Sequence, residues 1–169
     1  LYSLAKENNV VFMEAVKTAY CPGFHAMMAA AKSGKIGRII DVEAAFSRLT
    51  PVNTREYMAQ DYNGSFLEFG SYVCMPVFEL LGCDYDDVRF HSMRAVNGVD
   101  AYTKAVFSFG GKSAEVKTGL GVKTEGQLLI SGTNGYILAK SPWWLTKEFE
   151  IRYEDPNKKE VYKYAYEGS

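Results

Sequence analysis

The chain has 169 residues, and its 19 Lys and Arg against 20 Asp and Glu leave a formal net charge of −1, so charge gives no reason to expect a polyanionic partner such as nucleic acid. With 47% hydrophobic and 14% aromatic residues and no run of like charges or of Pro, Gly and Ser, it has the composition of a globular domain, not of a disordered tail. No apolar stretch approaches the ~20 residues that span a bilayer, and three cysteines (Cys21, Cys74, Cys83) without a C-x-x-C pair, beside only His25 and His91, argue for reduced, cytosolic thiols and against a metal site.

Leu1, Leu4 and Ala5 stand at i, i+3 and i+4, the spacing of a helix, which Asn8-Asn9 stop. The continuous apolar run Val10-Val11-Phe12-Met13 predicts a strand buried on both faces. Helix then buried strand is the tail of a parallel α/β unit, so residues 1–19 are expected to be a short remnant of something longer, and residues 20–169 a second domain. Pro22 suits the first turn of a helix that carries Phe24, Met27, Met28 and Ala31 on one face and ends at Lys32 to Lys35. Ile40, Val42, Ala44 and Phe46 then alternate with Asp41, Glu43, Ala45 and Ser47, the pattern of a strand with one wet face. Asn63-Gly64 introduces a third helix, striped by Phe66, Phe69, Val73, Val77, Leu80 and Leu81 and ended by Gly82.

Seven alternating segments follow, around Val88 to Val96, Ala101 to Phe109, Ala114 to Val122, Gln127 to Ser131, Tyr136 to Ala139, Lys147 to Tyr153 and Val161 to Tyr166. Asn97-Gly98, Gly110-Gly111, Asn134-Gly135 and Asp155-Pro156-Asn157 supply turns between them. The fold class is α+β: a large, mostly antiparallel, open-faced sheet with helices packed on one face, preceded by the short α/β remnant. The other face, with Glu115, Lys117 and Lys123 or Glu148, Glu150 and Arg152, is polar and free to meet solvent or a second copy.

Glu68 and Tyr72 are i and i+4 on the third helix, four residues before Pro76, which cannot donate a backbone N–H to the Tyr72 carbonyl. A phenol beside a carboxylate can serve as an acid or hydrogen-bond donor to a substrate oxygen; the alternative is a dipole-favouring acid beside a boundary aromatic. Glu14 and Lys17 follow the apolar run, where α/β sheets place ligands, or form a surface ion pair. Trp143-Trp144 can stack on a sugar face or fill the core. The one G-x-G, Gly119 to Gly121, has Thr124 where a dinucleotide turn needs its third glycine.

These residues resemble the Gfo/Idh/MocA oxidoreductases, the glucose-fructose oxidoreductase and inositol dehydrogenase family. Three stretches carry the resemblance: Val11-Phe12-Met13-Glu14-Ala15 leading to Pro22, Ser33-Gly34-Lys35-Ile36-Gly37-Arg38-Ile39 leading into a strand, and Asn63-Gly64-Ser65-Phe66-Leu67-Glu68-Phe69-Gly70-Ser71-Tyr72 closing at Leu80-Leu81-Gly82. The stretch from Ser33 to Ile39 is similar to the family's G-x-I-G opening of its sheet, and the stretch from Asn63 to Tyr72 resembles its G-G-x-x-x-D-x-G-x-[HY] helix. Glu68 stands where Asp is usual, and Ala19 where many relatives have Arg.

The resemblance implies hydride transfer between NAD or NADP and the hydroxyl of a sugar, polyol or dihydrodiol, with Tyr72 as proton donor or acceptor and Glu68 beside it; from their own placement, Lys17, Trp143 and Trp144 are candidate substrate contacts and Glu14 a candidate cofactor contact. A phenol titrates near ~10, so a basic role needs a cationic neighbour; the family's is the Lys of a Glu-Lys-Pro motif that would precede Leu1. The nicotinamide domain would precede the chain too, so the chain alone is expected to bind no cofactor and to be inactive, and to form a homo-oligomer through the open sheet face. Two other readings remain: a noncatalytic, sheet-mediated dimerisation domain, and a carbohydrate-binding domain using the two tryptophans.

Overall fold

The structure is a computed structural model that describes residues 1–58 and 63–165. After a six-residue helix α1 (Tyr2–Glu7) and a 3-10 turn (Lys17–Tyr20) come α2 (Pro22–Lys32), β1 (Ile39–Ser47), a short α3 (Arg55–Met58) and the long α4 (Ser65–Leu81). Seven more strands follow: β2 (Asp87–Arg94), β3 (Asp100–Phe109), β4 (Lys112–Gly119), β5 (Leu128–Gly132), β6 (Gly135–Ala139), β7 (Glu148–Arg152) and β8 (Lys159–Lys163), with a 3-10 turn at Trp143–Leu145 between β6 and β7. Tyr166, the expected end of the last alternating segment, lies outside the described residues. All eight strands join one sheet in the order β2-β3-β4-β1-β5-β6-β7-β8.

The pairing is antiparallel at every step but one. β1 lies between β4 and β5 and runs parallel to β4, with Val42 beside Ala114 and Phe46 beside Thr118. The sheet is therefore mixed, and β1 sits at its centre. Alternation in the β1 sequence reports a wet and a dry face but says nothing of a partner's direction.

The dry face carries Val42, Ala44, Ala105, Phe107, Ala114, Val116, Leu128, Ile130, Ile137 and Ile151, all buried beneath α4 and α2. α4 packs across β1, β3 and β4, while α2 packs against α4 and β7. Phe24, Met27, Met28 and Ala31 of α2 are the buried stripe that its spacing predicts. On the open face, Glu115 is held between Lys104 at 2.5 Å and Lys117 at 2.6 Å, and Glu150 accepts from Arg152 at 2.6 Å. Burial alone would raise the Glu115 carboxyl, but the hydrogen bonds from Lys104 and Lys117 outweigh it and hold the group below the usual carboxylate value.

The expected strand at Val10–Met13 does not form. No other strand lies beside it among the described residues, and its side chains are 46% to 88% exposed. Extended backbone without a neighbour leaves its N–H and C=O groups unpaired. The segment instead folds back on α1, with Val10 N–H donating to Ala5 O at 3.0 Å and the Phe12 ring edge-on to Tyr2 at 5.1 Å.

The N-terminus of α4 is fixed from a distance. Its N-cap, Gly64, has no side chain to offer; the Asp100 carboxylate, at the start of β3, accepts the Phe66 N–H at 3.0 Å and the hydroxyls of Ser65 at 2.6 Å and Thr103 at 2.8 Å. Gly64 has φ 130, and a Cβ there would collide with that carboxylate. A remote acid thus replaces the usual local cap, and the helix that bears Glu68 and Tyr72 is clamped to the sheet.

Candidate functional site

The end of β1 carries the site. Phe46, on the dry side of the sheet at its rim, is a hub for three other aromatic rings: it stacks on Phe69 of α4 at 4.3 Å and on Trp144 at 3.8 Å, and meets Tyr72 edge-on at 5.3 Å. Such contacts add about 0.5–1.5 kcal/mol per pair beyond area burial. They bring Tyr72, from the middle of the chain, into one cluster with Trp144, from near its end. Among the described residues no side chain hydrogen-bonds to the Tyr72 hydroxyl, and the residue is half-buried.

Charges surround this cluster. The Arg48 guanidinium lies 5.8 Å from the Phe69 ring centroid and pairs with Glu56 at 3.1 Å. Glu56 is held below the usual carboxylate value by its own backbone N–H, then by the Thr54 hydroxyl, and after these by Arg48. Glu68 faces Arg55 at 3.6 Å. Lys123 reaches the same rim from the loop after β4, donating to Thr124 O at 3.0 Å and Ser47 O at 3.4 Å. A cleft of about 570 Å³ opens here, walled by Phe46, Ser47, Arg48, Lys123, Ser141 and Trp144 with Leu49 at its rim.

The predicted site residues divide. Tyr72 and Trp144 meet at the hub; Glu68, one residue before Phe69 on α4, pairs with Arg55 instead. Trp143 does not: it is wholly buried, its indole N–H donates to Ala45 O at 2.8 Å, and it offers no face to a sugar. Of the two adjacent indoles, one is core and the other walls the cleft. Glu14 and Lys17 are exposed, on the segment that ends in Thr18, whose hydroxyl donates to Trp144 O at 2.8 Å. That bond ties the exposed segment to the turn beneath the cleft.

Three residues that wall the cleft carry no mark of it in the sequence. Phe46 stood only as one apolar position of a strand. Arg48 lies just past β1 and had no pattern to mark it. Lys123 was expected on the open face beside Glu115 and Lys117, as though the alternation ran to Val122; β4 stops at Gly119, and the loop turns back over β1. The glycines were the signal. A Cβ at Gly119 would collide with Val122 O, and at Gly126, φ 73, it would lie 3.3 Å from the Trp144 ring.

A larger hollow, about 680 Å³, lies between Gly132–Tyr136 and Tyr153–Lys158. None of the predicted residues lines it. Among the described residues no group of three His, Cys, Asp or Glu could hold a metal ion, and no helix is long and apolar enough to cross a membrane. All three cysteines are free; burial pushes the Cys74 thiol up to about 11, so at neutral pH it is a packing group.

The model of the GFO/IDH/MocA C-terminal domain matches residues 24–138, a stretch that includes β1, α4 and Lys123. The chain belongs to this family. It is similar to the scyllo-inositol 2-dehydrogenase (NADP+) of Bacillus subtilis, 28% identical over 165 residues that cover 92% of this chain and 48% of that protein. It is also similar to the trans-1,2-dihydrobenzene-1,2-diol dehydrogenase of Bos taurus, 25% identical over 154 residues, 89% of this chain and 45% of that one. The chain spans about half the length of the curated relatives it matches. Among solved structures, a 3-ketoreductase from Actinomadura kijaniata in complex with NADP and TDP-benzene superposes with a TM-score of 0.78 at 19% identity, over 96% of this chain and 51% of that one. A levoglucosan dehydrogenase in complex with NADH and levoglucosan gives 0.73 at 15% identity, over 96% and 49%. At such identities the superpositions speak for the shared sheet architecture of the family domain.

Proposed function

We propose that this chain is the substrate-binding and oligomerisation half of an NAD(P)-dependent dehydrogenase that acts on a sugar, polyol or dihydrodiol hydroxyl. The observation that carries the reading is the Phe46 hub, which joins the Tyr72 side of α4 to Trp144 at the edge of a cleft of small-molecule size. Family membership supports it, as do relatives named as inositol and dihydrodiol dehydrogenases.

In this reading Tyr72 gives a proton to the substrate oxygen or takes one from it, Glu68 and Arg55 orient that exchange, and Trp144 and Phe46 lie against the apolar face of the ring. The residues of this chain do not fit a dinucleotide. Gly119 to Gly121 follows a strand but opens no helix, and its first glycine is packed against Val122 O. The cofactor site is therefore assigned outside the chain, with Glu14 and Lys17 on the side that would meet it. The polar open face is assigned to a second copy.

The test is turnover by the full-length protein. NAD+ and NADP+ are offered with a panel of inositols, aldoses and a trans-dihydrodiol, and reduced nicotinamide is followed by absorbance. Oxidation of one of these classes is expected; inactivity on all of them, in a protein shown to bind the cofactor, contradicts the reading.

A further inference from the structure

We propose that the cleft beside Phe46 is built for a carbohydrate or cyclitol bearing an anionic group, a phosphate or a carboxylate, and that Lys123 is the residue that meets this charge. The proposal rests on the dehydrogenase reading and narrows its substrate class.

Of the described residues that wall the cleft, two are cationic, Arg48 and Lys123, and none is acidic. Their charges are not equally free. Arg48 is neutralised by Glu56, whereas Lys123 makes no ion pair among the described residues and donates only to the carbonyls of Thr124 and Ser47. An ammonium has three N–H donors. Two carbonyls satisfy two of them without cancelling the charge, which leaves one donor and the full positive charge beside the cleft.

The charge is also held in place. Ser47 Oγ accepts the Thr124 N–H at 2.7 Å and shares a hydrogen bond with the Thr124 hydroxyl at 2.9 Å, so the loop bearing Lys123 is fastened to the end of β1. A loop fixed before ligand arrives loses little entropy on binding. The remaining walls complement such a ligand: Trp144 and Phe46 for the C–H face of a ring, and the hydroxyl of Ser141 for one of its oxygens. At about 570 Å³, the cleft lies within the ~300–1,000 Å³ usual for small molecules. Lysine acts as a point charge and does not choose between planar and tetrahedral anions, so the two sources are separated by experiment.

The chain contains two tryptophans, Trp143 and Trp144; the first is wholly buried and the second lines the cleft. Quenching of Trp144 fluorescence therefore reports on this cleft. The full-length protein is titrated at low salt with myo-inositol, glucuronate and glucose 6-phosphate, the quenching lost in Trp144→Phe is taken as the signal from the cleft, and far-UV circular dichroism checks the fold of each variant. At least one anionic ligand is expected to bind several-fold more tightly than myo-inositol. The preference should weaken with added salt, vanish in Lys123→Ala and return in Lys123→Arg. Glucuronate against glucose 6-phosphate then names the source. Equal binding of neutral and charged ligands, binding of none, or a preference that survives in Lys123→Ala overturns the proposal. The dehydrogenase reading is tested separately by turnover of the full-length protein, so the two fail independently.

Discussion

Asp100 shows how one side chain can set the position of an element far from it in sequence. Its carboxylate is the acceptor for the first turn of α4 and for two hydroxyls, so Asp100→Ala removes a cap, while Ser65 keeps Thr118 and Thr103 keeps Ser92 as a partner. Loss of a cap costs about 0.5–2 kcal/mol; a fall of that size in urea unfolding is expected, and a change within error would mean that α4 is held by packing alone. Phe46→Ala is the corresponding test of the hub. Phe46 is half-buried, so the loss should fall near or below the low end of the ~3–5 kcal/mol typical of Phe→Ala, with a shift in Trp144 emission because the indole loses the ring stacked on it.

At the scale of elements, the loop after α2 is stapled to the edge strand β8. Lys35 donates to Glu160 at 2.5 Å and to the Tyr162 hydroxyl at 2.7 Å, and Tyr153 donates to the same carboxylate at 2.7 Å. The Lys35 hydrogen bond first, then those of Tyr162 and Tyr153, pull the Glu160 carboxyl down to about 2 from 4.5. A depressed carboxylate contributes stability that is fully present above 4.5 and is lost as pH falls toward 2. Lys35, raised above its ordinary 10.5 by the same bond, contributes below that value and loses its part at higher pH. Glu160→Gln should therefore narrow the stability difference between neutral and acid pH, and salt should shrink the effect because the pair is exposed. Unfolding midpoints measured across the acid range check this; an unchanged acid limb contradicts it.

The same scale shows which parts of the fold can be read from sequence. α2 is legible from Pro22 to Lys32 because its start signal, its apolar spacing and its end are all local. The hairpin strands β2 to β4 and β5 to β8 are legible for the same reason, each turn lying between the two strands it joins. Local signals mark β1 as a strand but are silent on its parallel pairing with β4, which begins 65 residues after β1 ends, and on the Asp100 cap. Val10–Met13 reads as a buried strand only with neighbouring strands to cover it, and among the described residues it has none. In the proposed site, Glu68 and Tyr72 are candidates from i, i+4 spacing and motif resemblance, while Phe46, Arg48 and Lys123 come together around one cleft only when β1, α4 and the loop after β4 meet.

Over the whole molecule, helices cover one face of an eight-stranded sheet and leave the other to water. That open face carries compensated charges such as Lys104, Glu115 and Lys117, so association through it should be polar and salt-sensitive. Light scattering is expected to give a dimer at low salt and a lower mass for Glu115→Arg, which sets a third cation beside the two lysines; a strict monomer at every concentration contradicts this use of the face. Our proposal that the Phe46 cluster is the catalytic end of the domain is tested most directly by Tyr72→Phe in the full-length protein. The ring contact with Phe46 survives this change and only the hydroxyl is lost. The account predicts a fall in kcat of about 10²–10⁴-fold with folding and Trp144 fluorescence unchanged; a kcat equal to that of the unaltered enzyme on its substrate would contradict it.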